Sequence, residues 1–234
     1  MIKIHKHSQR GFTIIELMIA TVVVSTLLIT VTYVMIGLQN LYDKGLNEQR
    51  AQDNTRTIID QIALEIQTTG QAIVAQPSVL TDTVTINSTS YSYNINAVCI
   101  GSVRYLYVIN LEVGVQTKHA LWRDSADSGN SCVLSPINKS IIDIINKTPS
   151  DNGEELIPSN ARLTDFEVLQ PTATDSNYTI KVSVAYGTDD LFNPAFPSAT
   201  PNYDISCKGG IGDQFCATAK LTTGVGQRDT ASGP

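Results

Sequence analysis

The residues with chemistry to perform stand together near the start of the chain, in Arg10-Gly11-Phe12-Thr13-Ile14-Ile15-Glu16-Leu17. Residues 1–10 carry Lys3, Lys6 and Arg10 and no acid. Residues 12–38 form an apolar run with one charge in it, Glu16. A carboxylate in hydrocarbon costs roughly 3 kcal/mol on insertion scales, so an ionisable residue there is expected to have a function and a partner. The run itself supplies no cation. Cleavage after Gly11 would create one, the α-amine of Phe12, four residues from Glu16. A single helix holds those two groups apart, so the amine of a neighbouring copy is the better partner.

The basic leader, Gly11-Phe12-Thr13-x-x-Glu16 and the long apolar run together resemble the processing and assembly motif of type IV prepilins and pseudopilins. The resemblance implies a prepilin peptidase that cuts between Gly11 and Phe12 and methylates the new Phe12 amine. It also implies that Glu16 guides the docking of one subunit onto the next. It is strong over residues 8–38 and weaker along the helix to about residue 70. Two plainer readings compete with it. An uncut signal-anchor helix also has basic residues followed by an apolar run. A secretory signal peptide has a shorter apolar core and then a small-residue cleavage site. Ser25, Thr30 and Gly37 make no convincing site of that kind. Neither reading accounts for the Gly-Phe boundary or for Glu16.

The elements that must position these residues follow from periodicity. Residues 12–38 are expected to be helical and membrane-embedded. At 1.5 Å per residue such a run spans roughly 40 Å, enough for a hydrocarbon core of about 30 Å. The β-branched stretch Thr21-Val22-Val23-Val24-Ser25-Thr26 would favour a strand in water. In lipid a lone strand leaves its backbone unpaired, so helix wins, and the hydroxyls can bond to carbonyls one turn back. Many members of the resembling family have a proline where this chain has Tyr33, so that source of a kink is missing here. Gly37 and Gly45 are softer points.

From Leu38 the pattern turns amphipathic. Thr55, Ile58, Ile59, Ile62, Ala63 and Ile66 recur at three- and four-residue steps and predict a stripe packed on a sheet. Asp60 and Glu65 are expected on the solvent side. Gly70 reads as the helix stop. The fold class is therefore α+β: a long N-terminal helix, half transmembrane and half amphipathic, packed on a mainly antiparallel β-sheet head. The organisation is a leader over 1–11, a membrane and assembly helix over 12–70, and a β-rich head over 71–234.

Within the head, strands are expected at 81–87 and 91–100 about a Ser-Thr-Ser turn, then at 103–115, 118–123, 161–170, 178–186 and 217–223. Trp122 is expected in the core or on a sheet face. Residues 124–131, 148–160 and 187–203 read as loops, 136–147 as a short helix begun by Pro136, and 224–234 as a frayed tail.

The 234 residues are 42% hydrophobic and 16% charged, below the roughly 25% charge of soluble domains. Losing Lys3, Lys6 and Arg10 with the leader takes 16 basic residues to 13 against 22 acidic, a net charge of −9. That balance gives no broad attraction to nucleic acid. The leader's cations predict a cytoplasmic N-terminus and an exported head. The four cysteines, Cys99, Cys132, Cys207 and Cys216, all lie in the exported part and favour disulfides. Three pairings are possible. Proximity in sequence favours Cys99–Cys132 and Cys207–Cys216.

Enzyme chemistry is poorly served. His119 is the one histidine beyond the leader, which leaves a catalytic triad or a zinc site without parts. No phosphate-binding glycine motif occurs. Asp189 with Asp190, or Asp124 with Asp127, could offer calcium hard oxygen ligands, but no specific ligand spacing is present, so no metal or cofactor is expected.

The expected role is structural: a minor pilin-like subunit, processed by prepilin peptidase, assembled with other pilin or pseudopilin subunits by a pilus assembly platform at the cytoplasmic membrane. Three alternatives stand beside it: a type II secretion pseudopilin of the J type, a pilus-tip adhesin or DNA-capture module, and an uncut membrane-anchored extracellular domain. The helix segment 55–66 is similar to that of W-type minor pilins and J-type pseudopilins, and the 223 residues left when 11 are removed from 234 are more than most major pilins and pseudopilins of the resembling family have. The K-type tip subunit typically lacks the motif glutamate that Glu16 supplies.

Overall fold

The computed structural model describes residues 11–69, 73–86, 89–112, 119–125, 153–170, 176–193, 205–210 and 212–227. These form one long helix followed by antiparallel sheets, the α+β, pilin-like architecture expected. Helix α1 runs Ile14–Thr69 and continues through Tyr33, Gly37 and Gly45. The chain divides at Tyr42/Asp43 into two compact units, each described separately below.

In the first unit, α1 exposes its apolar side chains on every side. Among the described residues, all the exposed large hydrophobic side chains except Leu64, Leu169 and Phe215 lie between Phe12 and Tyr42. The serine and threonine hydroxyls within this stretch of helix are satisfied by its own carbonyls. Thr21 donates to Met18 O at 2.9 Å, Ser25 to Thr21 O at 2.7 Å, Thr26 to Val23 O at 2.9 Å, Thr30 to Leu27 O at 2.8 Å and Thr32 to Leu28 O at 2.8 Å. Each hydroxyl thereby loses its demand for water, as a helix in lipid requires.

In the second unit, the remainder of α1 buries Ala51, Thr55, Ile58, Ile59, Ile62 and Ile66 along one stripe. Each fully buried isoleucine contributes about 1.5–3 kcal/mol of transfer free energy. The stripe packs on two sheets. The first joins β1 (Ile73–Ile86), β2 (Thr89–Ile100), β3 (Val103–Tyr107), β4 (Leu121–Ser125) and β5 (Gly153–Glu155) in sequential order. The second contains β6 (Ala161–Leu169), β7 (Asn177–Tyr186) and β10 (Ala217–Gly226), with β7 central. Strands β8 (Phe192–Asn193) and β9 (Ser206–Cys207) pair as a separate two-stranded ribbon. The core gathers Ile58, Ile62 and Ile66 with Ile100, Leu121 and Val182, so the helix is the spine that both sheets share.

Several expectations need correcting. Strand β1 starts at Ile73, well before 81, and absorbs Pro77 in a register shift between Gln76 and Leu80. Proline has no ladder donor and is tolerated at such an irregularity. The strand expected over 103–115 ends at Tyr107, and the chain turns at Asn110, whose φ is 62°. Asp124 is not a loop residue. It is buried on β4, where Arg104 of β3 grips it through Nε at 2.8 Å and through Nη2. That ion pair uses the carboxylate considered for calcium. Residues 153–155 are strand rather than loop. Gly153 lies so close to Trp122 that a Cβ would stand 2.3 Å from its ring.

The Glu155 carboxylate accepts the amides of Ala120, Leu121 and Ile157 at 2.8–3.0 Å and meets His119 Nδ1 at 3.1 Å. Residues 224–226 are not frayed. They pair with Asn177–Thr179 of β7, and Gln227 N donates to Ser176 O. Glu65 does not face open solvent. It accepts Arg123 Nε at 2.9 Å and the Tyr105 hydroxyl, tying α1 to β3 and β4. Gly70, Asp127, Cys132 and the helix expected at 136–147 lie outside the described residues.

Candidate processing and assembly site

Residues 11–13 are non-helical and exposed, and α1 starts immediately after them. What sets that start is Thr13. Its carbonyl accepts the first helical bond, from Leu17 N at 3.2 Å. Its hydroxyl oxygen accepts Glu16 N at 3.3 Å. In return, Glu16 Oε2 accepts both the Thr13 amide and the Thr13 hydroxyl, each at 3.0 Å. This is a reciprocal capping box, with Thr13 at the N-cap and Glu16 three residues on. An acid in the first turn also suits the positive end of the helix dipole.

The arrangement has two consequences. The Gly11–Phe12 peptide bond falls just outside the helix. The Phe12 side chain is 81% exposed, and the space about Gly11 is open. A peptidase needs an extended substrate, and a helical bond would have to be unwound first. The second consequence concerns Glu16. Both of its side-chain hydrogen bonds fall on Oε2, so Oε1 is turned to no partner among the described residues.

The sequence motif brings Gly11, Phe12, Thr13 and Glu16 together but gives Thr13 no role of its own. The Thr-x-x-Glu spacing ahead of an apolar run was the available signal. Reading Glu16 as a charge that only a cation could satisfy hid the hydroxyl and amide three residues away.

The other singled-out residues lie in the head. Cys207 and Cys216 are joined by a disulfide with S–S 2.11 Å and Cα–Cα 5.8 Å. Cys99, on β2, is also disulfide-bonded, and Cys132 lies outside the described residues. Among the described residues, no cluster of three or more histidine, cysteine, aspartate or glutamate side chains is placed to hold a metal ion.

Residues 6–32 match the family model described as the prokaryotic N-terminal methylation motif. The match covers the Gly11–Phe12 junction, the capping box and most of the apolar run. It supports a type IV pilin-like or pseudopilin precursor with a membrane-anchorable N-terminal helix. No curated protein and no solved structure matches the chain.

Proposed function

We propose that this chain is the precursor of a minor pilin-like filament subunit. A prepilin peptidase cuts between Gly11 and Phe12 and methylates the Phe12 amine. The mature subunit waits in the cytoplasmic membrane with its head exported, and an assembly platform packs it helix to helix against other pilin or pseudopilin subunits. The observation that carries this reading is the capping box. It starts α1 just beyond the scissile bond and leaves one Glu16 oxygen without a partner among the described residues. That oxygen is the docking point for a neighbour's Phe12 amine. A charge buried without its partner is costly, so a subunit out of axial register is penalised. The exposed apolar helix is the surface that lipid covers before assembly and neighbouring helices cover after it.

The test is mass spectrometry of the N-terminal peptide from protein purified out of its native cells. An N-methylated Phe12 start supports the reading. An intact leader, in cells with active prepilin peptidase, overturns it and makes the chain an uncut membrane anchor. Deleting the gene then separates the machines: lost motility, adhesion or uptake assigns a pilus, and lost protein export assigns a J-like pseudopilin.

A further inference from the structure

Within the second unit, the contacts of α1 change in kind along its length. Residues Ile58, Ile62 and Ile66 sit in the main core. One step earlier, Ala51 is fully buried against Ala217 and Ala219 of β10, a close approach between small residues that buries little area. Between Asp43 and Ala51 the helix has no fully buried side chain, Leu46 being half-buried. Its side-chain bonds there run to one loop. Lys44 Nζ donates to Asp213 Oδ2 at 2.5 Å, and Asn47 Nδ2 donates to Gln214 O at 3.0 Å. Gly45, between them, is a poor helix former that costs about 1 kcal/mol relative to alanine.

That loop is the one closed by Cys207–Cys216. It is held at its base. Lys208 N donates to Leu191 O at 2.9 Å, Lys208 Nζ to Asp190 O at 2.8 Å, and Cys207 pairs with Phe192. Cys216 packs with Ala185, Phe192 and Ile205, then leads directly into β10. The chain enters the 3₁₀ turn Asp213–Phe215 through Gly212 at φ 93°, which aims Asp213 and the Gln214 carbonyl at the helix.

We propose that the Cys207–Cys216 loop is a latch on α1. Closed, it holds residues 44–47 to the rest of the second unit. Open, it frees residues 43–50 from their contacts within that unit, while the isoleucine core stays packed. An external dithiol opens it by thiol–disulfide exchange: the dithiol becomes a disulfide, and Cys207 and Cys216 take up its two electrons and two protons. The proposal rests on the geometry of the head and does not require the filament reading.

The test is hydrogen exchange, read by mass spectrometry, on the full chain in detergent micelles. The variants are Asp213→Asn, which keeps the disulfide, and the double variant Cys207→Ser with Cys216→Ser. Exchange in 43–50 should rise roughly threefold in Asp213→Asn, the size expected of one exposed ion pair. It should rise roughly tenfold or more in the double variant, with 58–66 unchanged, as local opening requires. Unaltered exchange in 43–50 for Asp213→Asn overturns the latch. So does equal acceleration across 58–66, because the loop would then be general support. If the double variant does not fold, Asp213→Asn decides alone.

Discussion

Arg162 and Tyr107 show how single side chains carry stability in a head whose core is shared between two sheets. Arg162 is fully buried on β6, among acceptors on three segments: Asn110 Oδ1, Glu112 Oε2 and Gly187 O, each at 3.2 Å. The Phe192 ring lies 4.4 Å from its guanidinium carbon. Truncation takes a charged donor away from the Glu112 carboxylate, Asn110 Oδ1 and Gly187 O. Arg162→Ala is therefore expected to lower unfolding free energy by about 3–5 kcal/mol, seen as a lower urea midpoint at unchanged slope. Tyr107 acts through pH. Burial first, then Glu167 and Asp165, push its hydroxyl up to about 12, against about 10 in an unfolded chain. Between those values the unfolded chain has released a proton that the folded chain keeps. The stability conferred by the neutral hydroxyl is thus complete below about pH 10 and is lost as pH rises towards 12. Urea midpoints near pH 9 and pH 11 should fall less for Tyr107→Phe than for the unaltered chain. An identical fall would remove Tyr107 from the alkaline transition.

At the scale of elements, α1 makes the sharpest contrast between neighbours. Ile62 is fully buried and Leu64, two residues on, is 61% exposed. Ile62→Ala should cost about 2–5 kcal/mol through lost contacts and a residual cavity. Leu64→Ala should stay within about 0.5 kcal/mol. Chemical denaturation of both variants checks the orientation of the stripe, and equal losses would mean a rotated helix. The stripe was readable from the sequence because its steps repeat over several turns, and strand β7 was readable because Ile180, Val182, Val184 and Tyr186 alternate there. Polar partners were harder. Glu65 reads as a solvent-facing charge, and Asp124 and Glu155 as loop residues, because nothing local marks Arg123, Arg104 or the amides of 120–121 as their partners. Those contacts span 20 to 58 residues, and only the folded sheet brings them together. Strand β5 was missed for the same reason, since it is held by the Glu155 carboxylate and by the room Gly153 leaves for Trp122. At the candidate site, Gly11, Phe12 and Glu16 were legible as a spaced motif. The Thr13 cap is local and equally legible, but it was passed over in favour of a distant cation.

At the scale of the whole molecule, Glu16 serves two tasks that different substitutions separate. It caps α1 through Oε2, and on the proposed function it offers Oε1 to a neighbour's Phe12 amine. Membrane retention depends on neither, because the apolar run from Phe12 onward is long enough to span without it. Glu16→Ala removes both the cap and the charge. It should leave the protein in the membrane fraction, with incorporation into filaments sharply reduced. Glu16→Gln keeps an oxygen able to accept the Thr13 amide, so the helix start survives, while the charge is lost. If the charge sets axial register, Glu16→Gln should assemble as poorly as Glu16→Ala. If the cap matters more, Glu16→Gln should assemble normally and Thr13→Val, which loses the hydroxyl and keeps Glu16, should fail. Quantifying each variant in sheared filaments against the membrane fraction distinguishes the two. Normal incorporation of Glu16→Ala would end the register argument altogether, because an unpaired Phe12 amine would then carry no penalty.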